Sequence, residues 1–223
     1  MRRAPIVAAA ALAAALLPLA GADAKRRTDC ERPRSVTVVE TGQVRVYEVH
    51  RGSATEGNRT TASYACRKGS TRKPLLLFDD ADGPGAAADF EVLGTKVAMT
   101  VIGCDPTGFG CGSEVRLLDL RTRRSLRAQA EPAGAKEVDW EAVRALQTSG
   151  GAVVFASQSP VNAGSATRPV TDGRIAAVGP DGVVRELDRG AGVEPDSLAV
   201  ARRSGRPTLV TWRSAGGLRS AEL

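Results

Sequence analysis

Val38-Val39-Glu40-Thr41-Gly42-Gln43-Val44-Arg45-Val46 reads as two short strands folded about a glycine turn, with β-branched residues on both sides of a polar break. The same arrangement returns at Phe90-Glu91-Val92-Leu93-Gly94-Thr95-Lys96-Val97-Ala98. It returns again where Val143-Arg144-Ala145-Leu146 leads to Gly151-Ala152-Val153-Val154-Phe155, and where Leu198-Ala199-Val200-Ala201 leads through Gly205 to Leu209-Val210-Thr211-Trp212. The four turn glycines, Gly42, Gly94, Gly151 and Gly205, lie 52, 57 and 54 residues apart. Behind each of the first three hairpins comes a second polar turn: Arg67-Lys68-Gly69-Ser70, Arg121-Thr122-Arg123-Arg124 and Gly179-Pro180-Asp181-Gly182. The unit is four strands, and the fourth copy loses its last strand at Leu223.

Strand-like runs outside these motifs follow the same rhythm. Fifteen can be marked in all, among them Ser35–Glu40, Phe90–Leu93, Lys96–Ile102 and Ser197–Ala201, while no segment beyond residue 24 keeps a helical apolar period past two turns. Four-stranded antiparallel units at this period resemble the blades of β-propeller repeat proteins, over nearly all of residues 25–223. The chain is similar in this to the uncharacterised secreted propeller-like proteins of actinobacteria. The resemblance implies an all-β fold: a propeller-like array of about four antiparallel four-stranded repeats in one domain, residues 25–223. No Trp-Asp blade ending, kelch double glycine or Asp-box accompanies it. Four copies close either as a small four-bladed ring or with the Cys30–Arg34 stretch or the Ser35 strand completing the last blade. A β-sandwich or an open β stack is the alternative.

Residues 1–24 read as a secretory signal peptide. Met1-Arg2-Arg3 is a cationic head, Ile6 to Leu19 an apolar run, and Ala22-Asp23-Ala24 the small-residue cleavage pattern. The run of about 14 residues is short for a bilayer span, which needs roughly 20. The expected location is secreted, with the bacterial cell envelope included and no stable membrane insertion after cleavage. In that compartment the four cysteines are expected to pair. Cys104 and Cys111 bracket a turn-rich segment between two strand-like runs, so a hairpin makes their sulfurs neighbours. Cys30 and Cys66 pair by remainder.

The 223 residues carry 31 basic and 25 acidic side chains, a net charge of +6, and a single His. One His excludes a His-rich metal cage, and the cysteines lack CxxC spacing, so no zinc site is expected. Counted from Asp80, the loop Asp79-Asp80-Ala81-Asp82-Gly83-Pro84-Gly85 places carboxylates at calcium-loop positions, with Glu91 as the last. Pro84 and the alanines that follow spoil the match, and a solvated turn is the reading. Gly108-Phe109-Gly110-Cys111-Gly112 lacks the third glycine of a dinucleotide fingerprint and reads as a hairpin loop. No nucleophile elbow is present, and His50 is expected in an exposed loop. Of the few aromatics, Phe109 and Trp140 are the candidate surface contacts.

No metal, cofactor or catalytic residue is assigned on these grounds. The expectation is a secreted non-catalytic binding or scaffold protein. An extracellular hydrolase of polysaccharide, its carboxylates gathered across repeats, is one alternative. A structural protein of the cell envelope is another. The partner is a protein or an anionic envelope polymer attracted by the net charge. Nucleic acid is not expected, because Lys25-Arg26-Arg27, Arg121–Arg124 and Arg202-Arg203 fall in turns or the tail without interleaved aromatics.

Overall fold

The computed structural model describes residues 30–52, 59–82, 85–104, 111–133, 140–159 and 172–223. Their fold is all-β, with fifteen strands in four antiparallel sheets. The first sheet holds β1 (Ser35–Glu40), β2 (Val44–Arg51), β3 (Thr60–Arg67) and β4 (Leu75–Asp79). The second holds β5 (Gly85–Leu93), β6 (Lys96–Cys104), β7 (Cys111–Asp119) and β8 (Arg124–Gln129). The third holds β9 (Glu141–Gln147), β10 (Val153–Ser159), β11 (Asp172–Val178) and β12 (Val184–Gly190). The fourth has only β13 (Val193–Ala201), β14 (Leu209–Ser214) and β15 (Gly217–Glu222). Every sheet is a meander in chain order.

The pairs flanking the opening glycine turns are hydrogen-bonded hairpins. Gly94, Gly151 and Gly205 adopt positive φ there, a conformation that costs a glycine little. Gly42 is not among the positive-φ residues. Its turn is held instead by the Thr41 hydroxyl, which accepts from the Gln43 and Val44 amides.

Three apolar layers lie between successive sheets. Val44, Val46 and Leu77 meet Val97, Met99 and Val101 between the first and second. Ala98, Val115 and Leu117 meet Trp140, Val153 and Phe155 between the second and third. Val154, Ala156 and Ile175 meet Leu198, Val210 and Trp212 between the third and fourth. Successive residues of β6 and β10 thus serve opposite layers, which is why both strands are apolar almost throughout rather than alternating. The sheets do not close. β1 pairs with β2 inside the first sheet, so the Ser35 strand does not complete the fourth, and no core cluster among the described residues joins the fourth sheet to the first.

The outer face of the first sheet is covered by a separate small cluster. Tyr47 and Tyr64 lie directly opposite each other and stack at 5.6 Å, beside a disulfide joining Cys30 to Cys66. Arg45 donates to the Cys30 carbonyl and lies 5.0 Å over the Tyr47 ring. Cys104 is also disulfide-bonded and stands opposite Cys111 in the β6–β7 register. Such bonds fit a chain that folds in an oxidising environment. Among the described residues no helix is long and apolar enough to cross a membrane.

Neighbouring sheets are also tied by polar bonds along their first strands. β9 has a free edge, and its Ala145 amide donates to Asp89 at 2.6 Å while its Gln147 amide donates to Glu91. The Gln147 side chain returns to the Glu91 carbonyl at 2.8 Å, and Arg202 donates to the Gln147 carbonyl at 2.9 Å. Carboxylates on one sheet therefore satisfy edge amides of the next, a need that any buried strand edge creates.

Candidate functional site

A groove of about 740 Å³ lies between the outer strands of the second and third sheets. Arg127 and Gln129 of β8 form one wall, with Glu131 and Pro132 just beyond it. Arg174 of β11 and Val184, Glu186 and Arg189 of β12 form the other. Its size falls within the usual range for small-molecule sites.

Arg174 anchors the groove. Its side chain is only 5% exposed, Nε donates to Glu186 at 3.1 Å, and Nη1 donates to the Ala130 carbonyl at 2.8 Å. The guanidinium also lies 5.5 Å over the Phe155 ring. Burial pulls its pKa below the ordinary arginine value, and the Glu186 carboxylate opposes that shift. Arg189 stands directly across the β11–β12 ladder from Arg174 and rests 5.3 Å over the Trp140 ring. Like charges directly opposite on a sheet repel. Among the described residues Glu186 is the only carboxylate paired with either arginine, so the two retain excess positive charge.

The residues singled out from sequence fall elsewhere. Phe109 lies outside the described residues, as do Gly108 and Gly110. Trp140, expected at the surface, is 6% exposed and packs in the layer with Phe155 and Ala145. It is no surface contact: its ring lies in the apolar layer and Arg189 rests over it. His50 is not in a loop but on β2, half-buried, with Nδ1 3.1 Å from the Thr61 hydroxyl. Asp79, Asp80 and Glu91 of the calcium-like loop are spent separately. Asp79 pairs with Arg51 at 3.0 Å, Asp80 accepts from the Thr61 amide at 2.7 Å, and Glu91 serves β9. No three metal-ligating side chains converge among the described residues. The groove arginines carried no motif. The one signal was arithmetic, since counting outward from a turn at Leu120–Arg123 places Arg116 opposite Arg127.

One further contact links the groove wall to the fourth sheet. Trp212 Nε1 donates to Asp188 at 2.7 Å. Burial of the Asp188 carboxyl pulls its pKa up, but bonds from Trp212, Ser214 and the Arg189 amide outweigh it and hold the group below the ordinary aspartate value. A carboxyl whose pKa is depressed on folding adds stability above its unfolded value, near 3.9, and loses it as pH falls through the folded value. In a Trp140→Phe variant, Trp212 is the single tryptophan. Its fluorescence is expected to titrate with a midpoint below about 3.9. A midpoint at or above that value removes the claimed stabilisation.

No protein-family model matches the chain, and no curated protein matches it. A solved polysaccharide lyase structure, described as a ulvan lyase of a new family with a bound GlcA(1-4)Rha3S saccharide, aligns with a TM-score of 0.43 and 10% identity. The alignment covers 84% of this chain and 54% of that one, so the chain spans about half the length of the structure it matches.

Proposed function

We propose that the protein is a secreted, non-catalytic binding protein that holds an anionic ligand in the groove between the second and third sheets. The observation that carries this reading is the opposed pair Arg174 and Arg189, two guanidinium groups within a concave surface of which Arg174 alone is paired with a carboxylate among the described residues. A carboxylate or sulfate arriving between them relieves the repulsion and accepts forked hydrogen bonds, the geometry that guanidinium groups match best. Arg174 is fixed by Ala130 and Phe155 before any ligand arrives, so little ordering is needed there. In this reading the four sheets are successive units of propeller type, supported by the positive-φ glycines at Gly94, Gly151 and Gly205. Residues 1–24 direct export, and the disulfides are compatible with it.

The test is calorimetric titration with oligogalacturonate at low salt. Arg189→Ala is expected to weaken binding roughly tenfold or more, the scale of one charge-assisted hydrogen bond. Unchanged affinity in that variant excludes the groove as the site.

A second reading rests on Glu131 and Glu186, which line the same groove. Two carboxylates in one concavity are the equipment of glycoside cleavage. Glu186 is engaged by Arg174, which favours binding over catalysis. Release of reducing ends from a polysaccharide by the native protein, lost in Glu131→Gln, replaces the non-catalytic reading with the hydrolytic one.

A further inference from the structure

The groove continues. A second groove of about 200 Å³ lies between β4 and the second sheet, and Arg127 lines both. Arg116 and Arg123 line this second groove as well. On its far side a small hollow shares Arg123 and adds Arg72 and Lys73. A track of cations therefore runs from Arg72 on the first sheet, across β8, to Arg189 on the third.

The charge along it is poorly compensated. Arg116 stands directly opposite Arg127, repeating on the second sheet the like-charge arrangement of Arg174 and Arg189 on the third. Glu114 serves both arginines of that pair, bonded to Arg116 and 3.9 Å from Arg127. No carboxylate is among the described residues lining the second groove or the hollow. At the hollow the guanidinium groups are held by neutral oxygens instead. Arg72 donates to the Arg121 carbonyl at 3.0 Å, and Arg123 donates to the Lys73 carbonyl at 2.7 Å. Carbonyls fix a guanidinium in place without cancelling its charge. Arg72, Arg123 and Arg127 are all exposed, so the track is open to a ligand.

We infer that the ligand is a linear carboxylate-bearing polysaccharide lying along this track, rather than a small anion seated in one groove. The inference rests on the groove reading above and specifies its ligand. Crossing three sheets takes at least roughly 20 Å, from a face-to-face spacing of about 10 Å per step. A single sugar acid reaches one arginine pair, whereas a chain reaches both pairs and the Arg72–Arg123 end. Nucleic acid is disfavoured by the lining, since no aromatic side chain stands among the described residues of either groove or the hollow. Single-stranded nucleic acid is gripped largely by base stacking on such rings.

The experiment compares galacturonic acid with its oligomers of increasing length, titrated into the full secreted protein at two salt concentrations. Affinity is expected to climb with length until the oligomer covers both grooves. Arg72→Glu with Arg123→Glu is expected to weaken the long oligomer roughly tenfold and flatten its salt dependence, while the monomer changes by no more than about twofold. Arg189→Ala weakens both. Circular dichroism of each variant confirms that these surface changes leave the sheets folded. Length-independent affinity, or a long oligomer indifferent to the Arg72/Arg123 double change, overturns the track while the Arg189 effect keeps the groove. Indifference to all three substitutions overturns both. Oligothymidylate binding as tightly as oligogalacturonate of equal charge overturns the polysaccharide assignment in favour of nucleic acid.

Discussion

Replacing Cys30 and Cys66 together by serine is expected to lower the unfolding free energy by nearly 4 kcal/mol, the chain-entropy value for a bond closing a loop of this length. The two cysteines are 36 residues apart, so the cross-link holds together much of the first sheet in the unfolded chain. The folded state contributes as well. Without the bond, residues 30–34 are left with polar ties to the first sheet: Arg45 donates to the Cys30 carbonyl and at 3.0 Å to Ser35, the Ser35 hydroxyl donates to the Arg32 carbonyl at 2.7 Å, and Arg32 lies over Tyr64. Tyr47 and Tyr64 then lose part of the cover that keeps their stacked rings from water. The double substitution avoids leaving one reactive thiol behind. In urea, with a slope near 2 kcal/mol/M, the midpoint should fall by about 2 M. A shift below about 0.5 M means that the unfolded chain keeps the loop closed without the bond, and the entropic account fails.

How the fold was legible in the sequence follows from which strands are covered on both faces. β6 and β10 form continuous apolar runs, because they serve two layers, and such runs stand out between polar turns. The outer strands were legible for the opposite reason, since turns such as Gly179–Gly182 bracket them closely. Strand starts were misjudged where a bulge breaks the alternation. β5 begins at Gly85 rather than Phe90, because Asp89 takes a positive φ inside an irregularity between Ala88 and Glu91. β13 begins at Val193 rather than Ser197, with a similar break between Glu194 and Ala199. The bulge in β5 is functional for the fold, since it aims Asp89 at the β9 edge. Local alternation cannot show a strand whose irregularity exists to reach another sheet.

The site was much less legible. Arg116 and Arg127 face each other in a regular register, and a correct turn is enough to pair them. Arg174 and Arg189 do not follow so simply. Val178 opposes Val184, which would set Arg174 against Asp188, a favourable pair of opposite charge. A shift between Ile175 and Ala176 moves the ladder by one residue and brings Arg189 there instead. Asp188 is thereby released to accept from Trp212 on the next sheet. One bulge converts an ordinary ion pair into a cation pair that Glu186 only partly compensates, and no pattern of residue types announces it. Trp140 misled for a related reason. Its acidic neighbours suggested exposure, whereas the ring is shielded by Arg189, some fifty positions further along the chain.

Phe155→Ala is expected to be among the most damaging single changes in the described core, at about 3 to 5 kcal/mol and toward the upper end. Phe155 is fully buried in the layer between the second and third sheets. Its cross-strand neighbours are Ala145 on one side and Ala176 on the other. Neither has side-chain length to spare, so the space left by the ring cannot be filled by a neighbour's rotamer change. Collapse would need a whole sheet to move, and β10 is pinned on both edges by β9 and β11. The lost ring also removes the face against which Arg174 lies, leaving a nearly buried guanidinium without its cation–π partner. For a chain of this size each kcal/mol corresponds to about 2 to 4 °C, so the melting temperature should fall by roughly 10 °C or more. Leu218→Ala is the matched control, because Leu218 is 75% exposed on β15 and its truncation should cost no more than about 0.5 kcal/mol. Phe155→Leu should recover most of the loss in melting temperature but not the anion affinity, since an aliphatic side chain fills volume without presenting a ring face to Arg174. If Phe155→Ala melts within about 3 °C of the native protein, the layer between the second and third sheets is looser than the packing described above, and the groove it supports is not preorganised.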